Sequence, residues 1–264
     1  MARYAIGDVQ GCFSQLIQLV DKIGFNPGVD VLYFVGDLVN RGPESYKVLK
    51  WIYKNQDNVI CVLGNHDIYL LGRYANVLKP DPDETIGEIL HAKDSDKLID
   101  YLRRQPLVFH DSNFILSHAG VYPKINFNTL IHLNSIIGNC LQSNDYPFFI
   151  HKIFGNKPNF WSDDLDLIHK LKFVVNSSTR MRFLNTSDYS LDYKYKGELA
   201  DKPAELTPWF NVEFDPSINK TIIFGHWAAL GFHQDKKVIS LDTGCVWGNK
   251  LTAINLENFE IFQV

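Results

Sequence analysis

The chain is organised around the stretch Val59-Ile60-Cys61-Val62-Leu63-Gly64-Asn65-His66-Asp67. Its apolar first part is typical of a buried β-strand, and the glycine that ends it is followed by three polar side chains. Open α/β sheets place their chemistry at the carboxyl ends of the strands, so this order predicts a functional strand end. One such strand end is weak evidence, because glycine and polar residues also make ordinary turns.

The same arrangement, a short apolar strand followed by glycine or serine and then polar residues, recurs along the chain. The first three strands alternate with segments of helical periodicity, which predicts β–α–β units and a largely parallel sheet. Because such strands present their carboxyl ends at one edge, we expect the polar side chains to gather there. The candidates are Asp8, Gln10, Asp37, Asn65, His66, His118 and His226.

Simpler interpretations stay open for each candidate taken alone. A Gly-Asp pair such as Gly7-Asp8 is often only a turn, and a lone histidine in an apolar context is often a satisfied core residue. The whole set is harder to explain in this way, because several separate strands end alike. Carboxylates, imidazoles and an amide suit divalent Mn²⁺, Co²⁺, Fe²⁺ or Zn²⁺. Two such ions close together are the usual centre for hydrolysing phosphate esters and anhydrides.

The composition disfavours several classes of protein. The chain has 264 residues, a formal net charge of −4 and no basic block, so we expect no DNA-binding surface. Its four cysteines show no CxxC spacing, so we expect neither a zinc ribbon nor a disulfide framework. Residues 1–6 lack an apolar targeting region, and no apolar run reaches the roughly 18 residues of a membrane span. We therefore expect a cytoplasmic protein without a membrane partner.

Outside the strand ends the pattern is mostly helical. Segments 68–110 and 121–172 combine helical periodicity with turns marked by proline, and we interpret them as a helical cap inserted into a single domain of residues 1–264. Residues 188–208 show no clear period and are expected to form an irregular loop. A strand near residues 251–256 closes the chain.

Five motifs together resemble the calcineurin-like metallophosphatases. They are Gly7-Asp8-x-Gln10-Gly11, Gly36-Asp37-Leu38-Val39-Asn40-Arg41-Gly42-Pro43, Gly64-Asn65-His66-Asp67, Ser117-His118-Ala119-Gly120 and Gly225-His226. Stretches 179–183, 224–228 and 241–248 are similar to the symmetrical bis(5′-nucleosyl)-tetraphosphatases within that superfamily. The resemblance covers nearly the whole chain and implies an α/β fold, a two-sheet sandwich flanked by helices.

The resemblance also implies two divalent metal ions, Mn²⁺ or Co²⁺. Asp8, Gln10 and Asp37 would bind the first ion. Asp37 would bridge to the second ion, whose other ligands would be Asn65, His118 and His226.

Further roles follow from the same resemblance. His66 would be the general acid or transition-state donor, with Asn40 beside it. We place Asp67 in the same catalytic group from its position next to His66; it either touches His66 or begins the following helix as an N-terminal acid. The substrate-binding residues would be Arg41, Arg180 and Arg182, since a guanidinium fork matches phosphate oxygens.

Gln10 and Asn40 depart from the wider superfamily. Most members have histidine in place of Gln10, and a neutral amide is a weaker ligand, so we expect the first metal to be the more labile. Protein phosphatases have an aspartate where this chain has Asn40, and that aspartate orients their catalytic histidine. We expect Asn40 to accept a hydrogen bond from the His66 ring through its amide oxygen, without adding charge. Both departures favour the nucleotide branch over protein phosphatases.

The implied reaction is metal-dependent hydrolysis of diadenosine tetraphosphate (Ap4A) to two ADP. A water acidified by the metals would attack one of the two inner phosphorus atoms. Related dinucleoside polyphosphates, and RNA 5′ ends that carry such a nucleotide cap, are implied as further substrates. Two alternatives stay open: a protein Ser/Thr phosphatase or general phosphomonoesterase of the same superfamily, and a metal or nucleotide binder without catalysis.

Overall fold

The computed structural model describes residues 1–235 and 237–264 of the chain. Within those residues, strands and helices alternate along the sequence. The strands are β1 (Arg3–Ile6), β2 (Val31–Phe34), β3 (Val59–Cys61), β4 (Val108–His110), β5 (Phe114–Ser117), β6 (Phe183–Asn185), β7 (Leu191–Asp192), β8 (Leu206–Pro208), β9 (Thr221–Phe224), β10 (His233–Gln234), β11 (Val238–Ser240), β12 (Thr252–Asn255) and β13 (Ile261–Gln263). The helices are α1 (Phe13–Lys22), α2 (Ser45–Lys54), α3 (Asn65–Tyr74), α4 (Gly87–His91), α5 (Ser95–Leu102), α6 (Phe127–Gln142), α7 (Tyr146–Ile153) and α8 (Leu167–Arg180).

Two five-stranded sheets share one plan, a parallel centre with antiparallel additions at the edges. The first sheet has the order β13-β12-β1-β2-β3, and its strands β1, β2 and β3 are parallel. The second has the order β10-β11-β9-β5-β4, and its strands β5, β9 and β11 are parallel. Strand β12 pairs antiparallel with β1, and β13 pairs antiparallel with β12. At the edges of the second sheet β4 pairs antiparallel with β5, and β10 with β11.

The two sheets pack against each other as a sandwich. Ala5 and Tyr33 of the first sheet share one buried cluster with Leu116 and Ile223 of the second. The rings of Tyr33 and Phe114 meet edge to face, with centroids 5.3 Å apart. The alternate side chains of β1 and β2 belong to the larger core that includes the helices. Central strands buried on both faces explain the continuous apolar runs in the sequence, and the predicted two-sheet α/β sandwich is confirmed.

The segments predicted as a cap, 68–110 and 121–172, contain helices α4 to α7. Helices α6, α7 and α8 pack against one another, and α3 packs against α7. Helix α8 begins inside the second segment and ends at Arg180. The division of the chain into a domain and an inserted cap stays a prediction. Among the residues described, no helix has the length and apolar character needed to cross a membrane.

The expectation of an irregular loop over 188–208 is wrong at both of its ends. Strands β7 and β8 flank β6 in a small three-stranded sheet, in which Phe183 lies opposite both Asp192 and Pro208. The fully buried Phe183 packs on Trp227, with ring centroids 4.5 Å apart. Strands of two and three residues are too short to show a period in the sequence, and β7 and β8 form by pairing with β6.

Candidate active site

The strand ends of both sheets converge at one edge of the sandwich. Asp8 follows β1, Asp37 follows β2, and Asn65 begins α3 shortly after β3. From the second sheet, His118 follows β5 and His226 follows β9. The backbone N–H of His226 donates to Asp8 Oδ1 at 3.1 Å, which ties the two edges together. The structure therefore brings together the polar side chains that the strand ends predicted.

Asp37, His118 and His226 form the tightest group. All three are buried, and one ligand atom of each lies within 4.8 Å of those of the other two. His118 Nε2 is 3.3 Å from Asp37 Oδ2, while His118 Nδ1 donates to the carbonyl oxygen of Val35 at 2.9 Å. Because the backbone bond occupies Nδ1–H, Nε2 is the ring atom left to face a cation, as is usual for metal-binding histidines.

Burial and close charges shift the pKa values of the ionisable residues in and beside this group. Burial, and then repulsion from Asp242, raise the pKa of Asp8 well above its ordinary range. Burial also opposes ionisation of Asp37, but His118 and His66 lower the pKa of Asp37 to about 2. Burial would lower the pKa of His118, yet the carboxylates of Asp37 and Asp8 raise it to about 10. The proton on His118 thus balances negative charge on Asp37 and Asp8 that a divalent cation would also neutralise. Buried carboxylate and imidazole donors of this kind fit a metal ion.

Two amides complete the surroundings of the group. The side-chain amide of Asn65 lies 3.0 Å from His226 Nδ1 and 3.0 Å from the Thr179 carbonyl oxygen. With its nitrogen toward these atoms the amide donates to both. With its oxygen toward them, lone pairs converge, which is favourable only around a cation. Among the described residues His226 Nε2 has no hydrogen-bond partner, and Gln10 Nε2 donates to Asp37 Oδ2 at 3.4 Å.

His66 lies beside this group at the start of α3. Its backbone N–H donates to Asp37 Oδ1 at 2.8 Å, and its Nδ1 is 2.9 Å from Asn40 Nδ2. Asn40 Oδ1 accepts from the backbone N–H groups of Arg41 and Thr85, each at 3.0 Å. Since two donors fix this oxygen, the Asn40 amide must donate to His66 Nδ1. The proton of the neutral ring is then on Nε2.

This arrangement corrects the expectation that Asn40 accepts a hydrogen bond from the His66 ring. The amide oxygen is held by Thr85, a residue far away in sequence, so only the amide nitrogen can face the ring. Burial lowers the pKa of His66, although Asp37 opposes that effect. His66 is therefore a neutral donor through Nε2–H.

Asp67 was grouped with the catalytic residues, and its surroundings give it a different part. The side chain is fully buried, Oδ1 accepts from the Leu38 N–H at 3.0 Å, and Oδ2 accepts from the Gly64 N–H at 2.9 Å. Burial raises the pKa of Asp67 to about 7. Asp67 lies in the first turn of α3, and the second bond joins that turn to the residue before the helix. Asp67 thus holds two strand-end turns in place, a correction to its catalytic assignment.

A cleft of about 690 Å³ opens over the group, and Arg41, Arg180 and Arg182 line it. Arg182 Nη2 donates to the His226 carbonyl oxygen at 2.8 Å, and burial lowers the pKa of Arg182 to about 10. The guanidinium of Arg180 lies over the ring of Tyr193, 4.7 Å from its centroid. We call the group Asp37, His118 and His226 the metal-binding floor of this cleft. The three arginine cations above it can neutralise a polyphosphate chain.

Backbone strain is concentrated in the same place. Eight described residues other than glycine have positive φ, and five of them belong to the predicted site. Left-handed backbone costs such residues about 1–3 kcal/mol each and is maintained only by surrounding contacts. The five are Gln10 (φ 41°), Asp37 (48°), Asn40 (77°), Arg41 (65°) and His226 (66°).

Asp242 was not assigned a role from the sequence, although it also follows a strand. Its carboxylate lines the cleft and accepts from the Gly244 N–H at 3.0 Å. Burial raises the pKa of Asp242 to about 6. Lys196 and Trp247 also line the cleft, and Trp247 is 66% exposed. The run Leu241-Asp242-Thr243-Gly244 carried the signal for Asp242, whereas nothing in the sequence pointed to Lys196.

Comparisons with known proteins agree with this geometry. The sequence model of the calcineurin-like phosphoesterase family matches residues 1–230. A protein of Chromobacterium violaceum is 43% identical over 264 residues, covering 100% of this chain and 95% of the relative. One of Neisseria meningitidis serogroup A is 44% identical with the same coverage. Both relatives are named bis(5′-nucleosyl)-tetraphosphatase, symmetrical.

Solved structures share the fold at lower sequence identity. A crystal structure described as a candidate diadenosine tetraphosphatase superposes with a TM-score of 0.67 at 23% identity, covering 100% of this chain and 92% of the other. A serine/threonine phosphatase of Saccharomyces cerevisiae gives 0.52 at 12% identity, covering 100% and 79%. The chain therefore belongs to the calcineurin-like phosphoesterase family and, within it, to the symmetrical bis(5′-nucleosyl)-tetraphosphatases.

Proposed function

We propose that this protein hydrolyses Ap4A to two ADP in a metal-dependent reaction, and that related dinucleoside polyphosphates are further substrates. The main support is the meeting, in one cleft, of the buried group Asp37, His118 and His226 with three arginines. A hydrolase for a short polyphosphate needs both halves, a floor that holds cations and walls that hold phosphate oxygens. Nucleotide-capped RNA 5′ ends stay a prediction from the resemblance.

We assign the metal-binding residues as the resemblance implies, to two divalent ions, Mn²⁺ or Co²⁺. When bound, the ions would supply Lewis acidity and lower the pKa of a water molecule. Four of the proposed ligands are anionic or imidazole side chains, and the buried charge and the Asn65–His226 contact described above suit such an occupant. The first-ion ligands are Asp8, Gln10 and Asp37, and the second-ion ligands are Asp37, Asn65, His118 and His226.

The remaining residues act on the substrate itself. The water oxygen forms a bond to one inner phosphorus, and the bond from that phosphorus to the central bridging oxygen breaks. We assign to His66 the donation of a hydrogen bond from Nε2–H to the departing ADP. Arg41, Arg180 and Arg182 hold non-bridging oxygens and stabilise the charge that shifts onto the leaving group. Cleavage at the central bridge releases two ADP, whichever inner phosphorus is attacked.

The direction of the hydrogen bond at Asn40 disfavours the phosphomonoesterase alternative. A serine alkoxide is a poor leaving group that needs a strong acid, and a neutral imidazole is a weaker acid than an imidazolium. An ADP anion leaves more easily and needs less protonation. The neutral, Nε2-protonated His66 described above is matched to the second case.

Product analysis tests the proposal. Purified protein with added Mn²⁺ or Co²⁺ is incubated with Ap4A in water enriched in ¹⁸O. The nucleotides are then separated and their masses are measured by mass spectrometry. We expect ADP alone, with one labelled oxygen in half of the molecules. ATP and AMP in equal amounts would contradict symmetrical cleavage. A phosphoserine peptide hydrolysed with a higher kcat/KM than Ap4A would favour the protein phosphatase.

A further inference from the structure

We call the cleft lined by Arg41, Arg180 and Arg182 the metal cleft. A second cavity, of about 220 Å³, adjoins it and is called the side cavity below. It lies between the first turns of α3, the end of α7 and the last turns of α8. The side cavity and the metal cleft share part of their lining, namely Arg41, Asn65, His66 and Arg180. A chain of phosphates held by the two arginines can therefore extend from one space into the other.

The chemistry of the side cavity differs from that of the metal cleft. Ile68, Ile153 and Val175 supply apolar surface, and Tyr69 and Phe154 supply aromatic rings. No proposed metal ligand other than Asn65 lines it among the described residues. Polar side chains such as Asn156 and Asn176 also line the side cavity, and apolar surface combined with polar groups is typical of a site for an organic ligand. Its volume equals that of about seven water molecules, at roughly 30 Å³ each, which suits one heteroaromatic base.

The walls of the side cavity are fixed before any ligand arrives. Asn176 Nδ2 donates to the Gly155 carbonyl oxygen at 2.9 Å, and Asn176 Oδ1 accepts from Arg180 Nη1 at 3.1 Å. On the opposite side the hydroxyl of Tyr69 contacts Glu84 and lies 3.2 Å from the Lys79 carbonyl oxygen. A preformed cavity binds a rigid ligand with little loss of conformational entropy.

Two residues of the side cavity have unused binding capacity. Phe154 directly follows α7 and is 49% exposed, so its side chain is open to contact with a ligand. The neighbouring Asn156 makes no side-chain hydrogen bond within the described part of the chain and lines the same space. An aromatic face stacks on a base, and a carboxamide pairs with the donor and acceptor atoms on the edge of adenine.

We propose that the side cavity binds one nucleoside of the substrate, with its base stacked on Phe154 and its edge hydrogen-bonded to Asn156. The inference rests on the proposed function, since it places one end of the same dinucleotide. The base enters between α3 and α8, its phosphates pass Arg41 and Arg180, and the scissile bridge comes to lie over the metal-binding floor. The two identical halves of the substrate then have unlike surroundings, and only one of them occupies the side cavity.

Substitutions of Phe154 test the proposal, and α7 offers a matched control. Phe148 is also on α7 and is 65% exposed, but it lines neither cavity. The measurements are kcat/KM for Ap4A, kcat/KM for p-nitrophenyl phosphate, which has no nucleoside, and calorimetric titration with ADP and with pyrophosphate. Stacking on one base is worth about tenfold in affinity or more. We expect Phe154→Ala to lower kcat/KM for Ap4A and affinity for ADP about tenfold each. The kcat/KM for p-nitrophenyl phosphate and the affinity for pyrophosphate, which lack a nucleoside, should not change.

Further variants separate binding from folding. Phe154→Trp keeps an aromatic face and should retain the affinity for ADP. Asn156→Ala should lower the affinity for ADP several-fold. Phe148→Ala should change neither the affinity for ADP nor that for pyrophosphate. Equal losses for Ap4A and p-nitrophenyl phosphate in Phe154→Ala, or unchanged ADP affinity, would overturn the assignment. A wild-type protein that does not form two ADP would refute the proposed function alone, because the comparison of ADP with pyrophosphate still tests the side cavity.

Discussion

Replacing Glu84 with glutamine should destabilise the protein measurably. Glu84 accepts two hydrogen bonds from Arg73 of α3, from Nε at 2.8 Å and from Nη2 at 2.9 Å. It also contacts the Tyr69 hydroxyl. The side chains of Arg73 and Glu84 are only 14% and 15% exposed. This bidentate pair ties the segment after α3 back onto the helix and fixes one wall of the side cavity.

The magnitude follows from the acidity of the carboxyl. Hydrogen bonds from Arg73, against the opposing effect of burial, lower the pKa of Glu84 from 4.5 to about 2. This gap corresponds to about 3 kcal/mol of stability at neutral pH, and screening near the surface reduces it to about 1.5–3 kcal/mol. A lowered carboxyl pKa stabilises the folded state fully above pH 4.5. The contribution is lost as the pH falls toward 2.

Urea denaturation at several pH values measures the effect. We expect Glu84→Gln to lower the free energy of unfolding by about 1.5–3 kcal/mol at pH 7, and the difference from wild type to shrink between pH 4.5 and 3. Glu88→Gln is the matched control, since Glu88 is exposed on α4 and has no ion pair within the described residues. An effect below 0.5 kcal/mol at pH 7, or a difference that stays constant down to pH 3, would refute the reasoning.

Three further outcomes are expected. His66→Ala should reduce turnover of a phosphoserine peptide about 10²-fold or more and that of Ap4A by less, because ADP needs less protonation on leaving than a serine alkoxide; equal factors in steady-state assays would contradict this. In Gly64→Ala the new Cβ would lie 2.3 Å from the Asp37 backbone nitrogen, so calorimetry should show lost Mn²⁺ binding, whereas Gly87→Ala, with nothing within 4 Å, should bind normally. Asp67→Ala should cost about 2 kcal/mol or more in urea denaturation, because two buried N–H groups lose their acceptor, and a loss below 0.5 kcal/mol would remove its positioning role.

Much of the fold and of the site could be predicted because the signals are local. Each parallel strand is an apolar run that ends in glycine or serine and a polar residue, and strand ends meet wherever such strands form sheets. Asp8, Asp37 and His118 were found in this way. The sandwich itself was expected from the resemblance and is confirmed by the shared core of Tyr33 and Leu116.

The errors have a common physical origin in contacts between distant segments. The amide of Asn40 is oriented by the backbone of Thr85, and Asp67 is held by Leu38 as well as by its own turn. Neither partner can be read from the neighbouring sequence. The short strands β7 and β8 likewise pair with β6, whose Phe183 packs against the distant Trp227.

The antiparallel pairing of β1 with β12 bears on how the protein is synthesised. Tyr4 lies opposite Asn255, so β1 gains this neighbour only after a segment far along the chain has been synthesised. Until then β1 has an open edge that can pair with other chains. His226 also emerges late, so a growing chain cannot assemble the proposed metal-binding floor. Contacts this distant in sequence form slowly, and the nascent protein is therefore exposed to misassembly until β12 has paired with β1.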